Sequence, residues 1–292
     1  MIKKELGDKT REDLRKYFQD RDYMVIAVPQ KQPARVYTLK ASRTVSTAAK
    51  IHDLEGENLV EMARLIVGVL LLTSMIKHAS SQKVLIKADG IIEGKTFIAE
   101  ADGKGRVRGM IEHSSSDEPT LTVVRELGMG TPYTSIVPLA GGDISSSIHY
   151  YLKQSEQIPS SLSIDVSVSP EKSIVAGGFL IQSLGGISKE VLDLLDERSV
   201  TLEPPAGILA KGGRPEDIAV KILRGMEPSL IGLKEVEYYC PCSEEVARAS
   251  LLMLSEEEIK EITREGPAEV VCKFCKKVYR FSGEDIINMK TG

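Results

Sequence analysis

The sequence predicts an α+β fold: an N-terminal domain of helices and antiparallel sheets, a helical linker, and a small C-terminal domain. Two observations lead to this prediction. Short apolar-alternating runs, each bounded by turn residues, recur between about residues 24 and 180. After Gly185-Gly186 the chain changes to short helical pieces separated by proline and glycine. We therefore expect an N-terminal domain over 1–186, a linker over 187–235 and a terminal domain over 236–292.

The N-terminal domain begins with a charged helix around 11–18. A longer helix at 58–78 has apolar residues at helical spacing, and charges interrupt the run, so we expect a buried helix and not a membrane span. Asp143 is placed to cap a third helix over 144–155. A short helix is expected at 46–53, and strands at 24–29, 34–40, 83–88, 95–101, 105–113, 120–127, 133–139, 162–168 and 173–180.

The linker combines helix-breaking residues with short apolar stripes. Pro204-Pro205, Gly212-Gly213 and Pro228 divide it into pieces of about two turns. Isolated helices of this length are unstable in water, so the linker needs another surface to fold against.

Composition excludes few functions, but it indicates in which cellular compartment the protein works. The chain has 292 residues, of which 42% are hydrophobic and 27% are charged, enough for two or three folded units. The net charge of -4 gives no global attraction for nucleic acid or for an anionic membrane. The first residues are dense in charge and lack the apolar core of a signal peptide, so we expect a cytoplasmic protein in a reducing compartment.

The cysteines form a pattern that predicts a metal site. Cys240 and Cys242 flank one proline, and after 29 residues Cys272 and Cys275 flank a Lys-Phe pair. Four thiolates suit one tetrahedral Zn²⁺ per chain, and a closed shell of four sulfurs leaves no position for a substrate. The terminal domain is therefore predicted to be a four-cysteine zinc-binding domain with a structural or regulatory role. An iron–sulfur cluster and four ordinary buried cysteines remain the alternatives.

The same spacing permits redox chemistry. The members of each pair are close enough in sequence to form a local disulfide. Oxidation would remove the metal ligands, and metal-binding free energy in such small units is also folding free energy. Lys273, Lys276 and Lys277 lie beside the second pair, where they either favour the thiolate form or form a solvated face.

Several stretches together resemble one known family. The terminal domain reads Y-Y-C-P-C-S-E-E and then C-K-F-C-K-K-V-Y-R-F. Tyr151–Gln157 reads Y-L-K-Q-S-E-Q, Ala176–Gln182 reads A-G-G-F-L-I-Q, and Ala99–Gly109 fits as well. In order and in length the sequence resembles the 33 kDa chaperonin family, the redox-regulated holdase chaperones of bacteria.

The resemblance implies a mechanism. The reduced, zinc-bound form would be inactive. Oxidation would form two disulfides, Cys240 with Cys242 and Cys272 with Cys275, release zinc, and unfold the tail and linker. The activated homodimer would hold unfolding client proteins without ATP and without enzyme activity, as part of a stress response. Candidate client contacts are the linker residues Leu192, Leu194, Leu195, Ile208, Leu209, Ile218 and Leu223.

Two other functions fit parts of the pattern. A zinc-ribbon nucleic-acid binder would contact phosphate through Lys273, Lys276, Lys277 and Arg280, with Phe274 and Tyr279 as stacking groups. Acidic runs nearby repel phosphate. A thiol oxidoreductase would use Cys272 and Cys275, but the βαβ frame of such enzymes is missing. Ser155, Glu156 and His149 do not make a catalytic set, because an offset of six on a helix turns His149 away from Ser155.

Overall fold

The α+β fold class is confirmed by the computed structural model, which describes residues 4–76, 82–114, 118–128, 130–139, 142–264 and 266–286. The chain divides into two units, Met1–Tyr238 and Tyr239–Gly292. The first holds helices and a large sheet, and the described part of the second holds short helices, a two-stranded sheet and the four cysteines. The domain limits expected at 186/187 and 235/236 stay predictions.

Helices and strands of the first unit follow the sequence prediction closely. The predicted helix end at 77–78 lies outside the described residues, and Ser229–Tyr238 forms a strand that was not predicted. The elements are β1 (Lys4–Glu5), α1 (Asp8–Phe18), β2 (Asp22–Val28), β3 (Ala34–Lys40), α2 (Ser42–His52), α3 (Gly56–Leu72), β4 (Lys83–Asp89), β5 (Lys95–Asp102), β6 (Arg106–His113), β7 (Thr120–Glu126), β8 (Tyr133–Pro138), α4 (Ile144–Tyr151), β9 (Ser160–Val168), β10 (Ile174–Ser183), α5 (Lys189–Thr201), α6 (Pro205–Ala210), α7 (Pro215–Ile222) and β11 (Ser229–Tyr238).

The sheet consists of two antiparallel runs joined by β11. One run has the order β8, β7, β4, β5, β6, and the other has the order β11, β2, β3, β10, β9. They meet where β11 lies parallel to β6, with Glu237 opposite Arg106 and Tyr238 opposite Val107. The hydroxyl of Tyr238 also donates to the carbonyl of Gly109 in β6 at 3.0 Å. The strand that leads into the second unit therefore connects the two halves of the sheet.

Both faces of the β2, β3 and β10 region are covered by helices. Met24 of β2 lies in one apolar cluster with residues of α3, whereas its neighbours Tyr23 and Val25 lie in a second cluster with residues of α6 and α7. Side chains alternate between the faces of a strand, so a strand that is apolar at every position is buried on both sides. Helices α6 and α7, which belong to the predicted linker, cover the second face. They bury more apolar surface than their broken sequence suggested.

Two adjacent glycines in β10 allow this double covering. A Cβ at Gly177 would lie 2.5 Å from the Leu209 side chain of α6, and a Cβ at Gly178 would lie 2.5 Å from the Ser163 carbonyl of β9. Side chains of α3 approach Gly178 as well, with Leu71 Cδ1 at 3.1 Å. The Ala-Gly-Gly stretch is therefore explained by close packing on both faces of one strand.

The long apolar helix is a core element. Gly56–Met75, which is α3 with its following turn, is the one helix among the described residues that is long and apolar enough to cross a membrane. In the fold, 72% of its most apolar window is buried against the sheet and α4. The expected burial of this helix is confirmed, and so is the cap at Asp143, whose side chain accepts from the N–H of Ser146 at 2.8 Å.

The second unit has a small core. It contains α8 (Glu244–Leu251), α9 (Glu256–Ile262), β12 (Ala268–Val271) and β13 (Val278–Phe281). Ser243 and Ser255 cap the two helices through hydrogen bonds from N–H groups. The buried apolar residues described are Ala247, Leu251, Ile259, Ala268, Tyr279, Phe281 and Ile286. A core of this size is marginal for independent folding and commonly depends on a metal or a disulfide.

Candidate metal centre

Two chain segments bring the cysteines together. Cys240 and Cys242 lie between the end of β11 and the start of α8. Cys272 and Cys275 lie in the turn that joins β12 to β13, where the N–H of Cys272 donates to the carbonyl of Lys277 and the N–H of Lys276 donates to the carbonyl of Cys272. The β12–β13 hairpin thus holds the second pair in a tight, hydrogen-bonded turn.

The four sulfur atoms form one cluster, in which all lie within 4.8 Å of one another. The Sγ atoms of Cys240 and Cys272 are 3.6 Å apart, and those of Cys242 and Cys275 are 3.3 Å apart. Four sulfurs bound tetrahedrally at about 2.3 Å from one Zn²⁺ would be roughly 3.8 Å apart. The donor set and spacing therefore fit a single four-coordinate metal ion.

Without a metal ion, electrostatics disfavours the ionised form of two of the four thiols. Burial raises the pKa of the Cys240 thiol, and burial together with the neighbouring thiols raises the pKa of Cys275 to about 12. Burial also acts to raise the pKa of Cys272, but N–H groups of Cys275 and Phe274 donate to its sulfur and lower the pKa to about 7. Thiols this close do not all ionise unless a cation lies between them.

The lysines beside the second pair are not among the main influences on the pKa values of its two thiols. The largest influences on Cys272 and Cys275 are burial, backbone N–H groups and the other sulfurs, not lysine side chains. The ammonium of Lys277 lies 4.8 Å from the centre of the Tyr279 ring. It is therefore engaged with an aromatic side chain.

Tyr279 is a residue of the site that sequence reasoning missed. Its hydroxyl donates to the Sγ of Cys242 at 3.3 Å, and its side chain is 7% exposed. From the sequence pattern, Tyr279 was interpreted only as a possible stacking group for nucleic acid. A usable signal was its place in the alternating strand after Cys275, where Tyr279 shares the buried face with Phe281.

The predicted client contacts are mostly covered in this structure. Leu195, Ile208, Leu209, Ile218 and Leu223 are buried in the second apolar cluster, and Leu192 and Leu194 are partly exposed. The linker is also held by polar contacts to β2 and β3. Tyr23 donates to the carboxylate of Glu216 at 2.6 Å, and Thr38 donates to the carbonyl of Pro215 at 2.7 Å. Whether these apolar residues bind clients stays a prediction.

The Ser-Glu-Gln stretch forms structural contacts. The carboxylate of Glu156 accepts hydrogen bonds from Arg125 at 2.6 Å and from Tyr151. These contacts tie the wide turn that ends α4 to strand β7. The Glu156 carboxylate is therefore already engaged in structural hydrogen bonds.

Comparisons with known proteins agree with this architecture. The family model described as "Hsp33 protein" matches residues 22–282. The chain belongs to the Hsp33 family. A relative from Aquifex aeolicus named "33 kDa chaperonin" is 51% identical, with 96% of this chain and 93% of the relative covered. The 33 kDa chaperonin of Bacillus subtilis is 30% identical, with 92% and 98% covered.

A solved structure shares the Hsp33 fold. The crystal structure of the 33 kDa chaperonin from Thermotoga maritima has a TM-score of 0.81 and 27% sequence identity, covering 93% of this chain and 98% of its own. Membership of the Hsp33 family supports a chaperone function for this chain and binding to unfolded proteins. The resemblance predicted from sequence is confirmed over most of the chain.

Proposed function

We propose that this protein is a redox-regulated, ATP-independent holdase chaperone that is inactive while reduced and zinc-bound. The observation that carries the proposal is the cluster of four sulfurs, all within 4.8 Å, inside a unit with a small apolar core. A unit so built depends on its ligands for stability, so a chemical change at sulfur becomes a change in folding. Family membership supplies the chaperone function that this switch would control.

Cys240, Cys242, Cys272 and Cys275 would hold one Zn²⁺ per chain. The bound ion supplies positive charge that lets four neighbouring thiolates coexist, and it links the two cysteine segments. Thiolate ligands favour zinc over harder cations in a reducing compartment. A closed shell of four protein ligands gives the ion a structural role, which agrees with a protein that is not an enzyme.

Oxidation would dismantle this site. For each disulfide, two thiolates, one hydrogen peroxide and two protons give one disulfide and two waters, so peroxide is reduced and sulfur is oxidised. Cys240 would pair with Cys242, and Cys272 with Cys275, as the family resemblance implies. A disulfide sulfur is a poor metal ligand, so zinc leaves and the unit loses the free energy of metal binding.

Loss of the second unit would free the linker. Strand β11 ends at Tyr238, two residues before Cys240, and it pairs with β6 at only two positions. Unfolding of the second unit would loosen this end of β11, and the linker helices would then separate from the sheet. The residues uncovered would include Leu195, Ile218 and Leu223, which are apolar and offer contacts to unfolded clients.

Partners and compartment follow from the same proposal. The activated form would be a homodimer in the cytoplasm that binds unfolded proteins, without nucleic acid and without a membrane.

The geometry of the site does not favour the alternative function, a zinc-ribbon nucleic-acid binder. Arg280 pairs with Glu269 at 2.7 Å, and Lys277 lies on the Tyr279 ring, so two of its proposed phosphate ligands are engaged elsewhere.

The test uses the full-length, reduced, zinc-loaded protein. Hydrogen peroxide at raised temperature is expected to release about one zinc per chain and to create the ability to suppress light scattering by a heat-denatured model enzyme. A variant with Cys240→Ser and Cys272→Ser should lose this oxidant-dependent gain, whereas Ser250→Ala in the same unit should keep it. An unchanged response in the double variant would refute the proposal.

A further inference from the structure

We propose that the hydroxyl of Tyr279 protects Cys242: by donating a hydrogen bond to its sulfur, it holds that thiolate on the metal and slows its oxidation. Tyr279 is thus a positioning residue for the metal centre. The inference rests on the proposed zinc-bound, oxidisable state and adds a determinant of how readily that state is lost.

The hydroxyl is fixed by packing. Tyr279 lies in β13 opposite Val270 of β12, and its ring belongs to the core of the second unit with Leu251 and Phe281. Cys242 packs against the same core. Because both partners are held by this core, the 3.3 Å contact between the Tyr279 hydroxyl and the Cys242 sulfur needs little further ordering.

The hydrogen-bond donors to the sulfurs of Cys272 and Cys275 are backbone groups, not side chains. N–H groups of Phe274 and Cys275 donate to the sulfur of Cys272, and the N–H of Lys277 donates to the sulfur of Cys275. Backbone donors are present whatever side chain occupies their position. The donor to Cys242 is a side-chain hydroxyl, so this sulfur carries a hydrogen bond that sequence variation can add or remove.

The chemistry explains the protection. In the oxidation, a lone pair of the Cys242 thiolate attacks one oxygen of hydrogen peroxide, the O–O bond breaks, and hydroxide leaves and is protonated to water. The thiolate of Cys240 then attacks the sulfur of the sulfenic acid, an S–S bond forms, the S–O bond breaks, and hydroxide leaves and is protonated to a second water. A hydrogen bond from Tyr279 withdraws electron density from the attacking sulfur and occupies one of its lone pairs, which makes the first step slower.

The same hydrogen bond supports metal binding. A four-thiolate Zn²⁺ site carries net negative charge, and donors to its sulfurs offset that charge. Removal of an outer partner of a metal ligand typically costs about 10–100-fold in metal affinity. Both effects act in the same direction, so loss of the hydroxyl should weaken zinc binding and speed oxidation.

The experiment compares Tyr279→Phe with wild type in the full-length, zinc-loaded protein. Phenylalanine keeps the buried ring and removes only the hydroxyl. Zinc affinity is measured by chelator competition under argon, and the alkylation of each cysteine by iodoacetamide is followed by mass spectrometry. We expect about 10-fold weaker zinc binding. We also expect the ratio of the Cys242 rate to the Cys272 rate to rise, because the hydroxyl acts directly on the Cys242 sulfur. Tyr17→Phe, which removes an exposed hydroxyl in the first unit, should change neither quantity.

The ratio of rates separates protection from simple unfolding. If the substitution destabilised the whole unit, all four cysteines would react faster and the ratio would stay the same. A ratio within twofold of wild type overturns the inference, whether the absolute rates rise or not. Aggregation assays on the same samples judge the proposed function separately: oxidised wild type that fails to suppress aggregation refutes the chaperone switch and leaves the Tyr279 result intact.

Discussion

The sulfur of Cys242 lies 3.3 Å from the sulfur of Cys275, although 33 positions separate these residues in the sequence. The corresponding contact of Cys240 is with Cys272, at 3.6 Å. Both contacts cross between the two cysteine pairs, whereas the disulfides implied by the family resemblance lie within the pairs. Coordination of one ion by all four sulfurs, as proposed above, would account for the crossed contacts, and disulfides within the pairs would replace them.

Loss of one ligand should release the metal. In Cys275→Ser, a neutral hydroxyl replaces a thiolate, and we expect zinc affinity to fall by more than the roughly 10–100-fold typical for an outer partner. Zinc per chain is measured by mass spectrometry after dialysis against a weak chelator, with Ser250→Ala as control. Zinc retention equal to wild type would show that this cysteine is not a ligand.

Metal removal should unfold the second unit and spare the core of the first. Binding of a structural zinc is worth about 10–16 kcal/mol in small domains, which is large beside the contribution of a seven-residue apolar core. Stripping the ion with a chelator under argon should therefore speed amide exchange across residues 239–264 and 266–286, and α3 should remain protected. Unchanged exchange in the tail would mean that its fold does not depend on metal.

The hydrogen bond between Tyr23 and Glu216 should hold the linker to the sheet. Both residues are buried, and Tyr23→Phe leaves the carboxylate without this donor while preserving the stacking on Phe18. We expect the free energy of unfolding to fall by about 1–3 kcal/mol at pH 7, and amide exchange in α7 to increase. Urea unfolding followed by circular dichroism measures the first effect, with Tyr17→Phe as control.

The destabilisation caused by Tyr23→Phe should depend on pH, and its sign follows from the ionisation of the Glu216 carboxylate. Burial raises the pKa of Glu216, and the bond from Tyr23 opposes that rise. Removing the hydroxyl raises the pKa further, so the cost in Tyr23→Phe should grow as pH rises and shrink in acid, where Glu216 is protonated. A destabilisation that is independent of pH would indicate a packing defect instead of a lost charge-assisted hydrogen bond.

The buried Lys234 should make stability depend on alkaline pH. It is 3% exposed, its ammonium donates to the carbonyl of Thr73 at 3.2 Å, and burial lowers its pKa to about 8. Between pH 8 and 10.5 the unfolded chain binds more protons at this residue than the folded one, so wild-type stability should gain about 3 kcal/mol over that window.

Substitution isolates this effect. Lys234→Met should lack the alkaline gain, because no titrating group remains at that position. Urea midpoints at pH 7.5, 9 and 10 measure it, with the exposed Lys50→Met as the matched control. Equal pH profiles for wild type and Lys234→Met would contradict the assigned pKa.

Local patterns predicted most elements of the first unit because alternation, turn residues and caps act over a few positions. The strand expected at 34–40 matches β3, and Asp143 caps α4 as expected. The strand β11 was missed because its pairing with β2 and β6 depends on residues far away in the chain. The continuous apolar run of β2 was a signal that a second layer covers it, and the linker helices proved to be that layer.

The sequence by itself determined the family and the four cysteines proposed as ligands, because cysteine spacing and the shared stretches are visible without a fold. Only the tertiary structure decided that the sulfurs meet across the pairs, that Tyr279 contacts Cys242, and that most of the apolar linker residues are buried against the sheet. The physical reason is distance along the chain. Local preferences act within one helix or strand, whereas these contacts arise from packing between segments that the sequence separates.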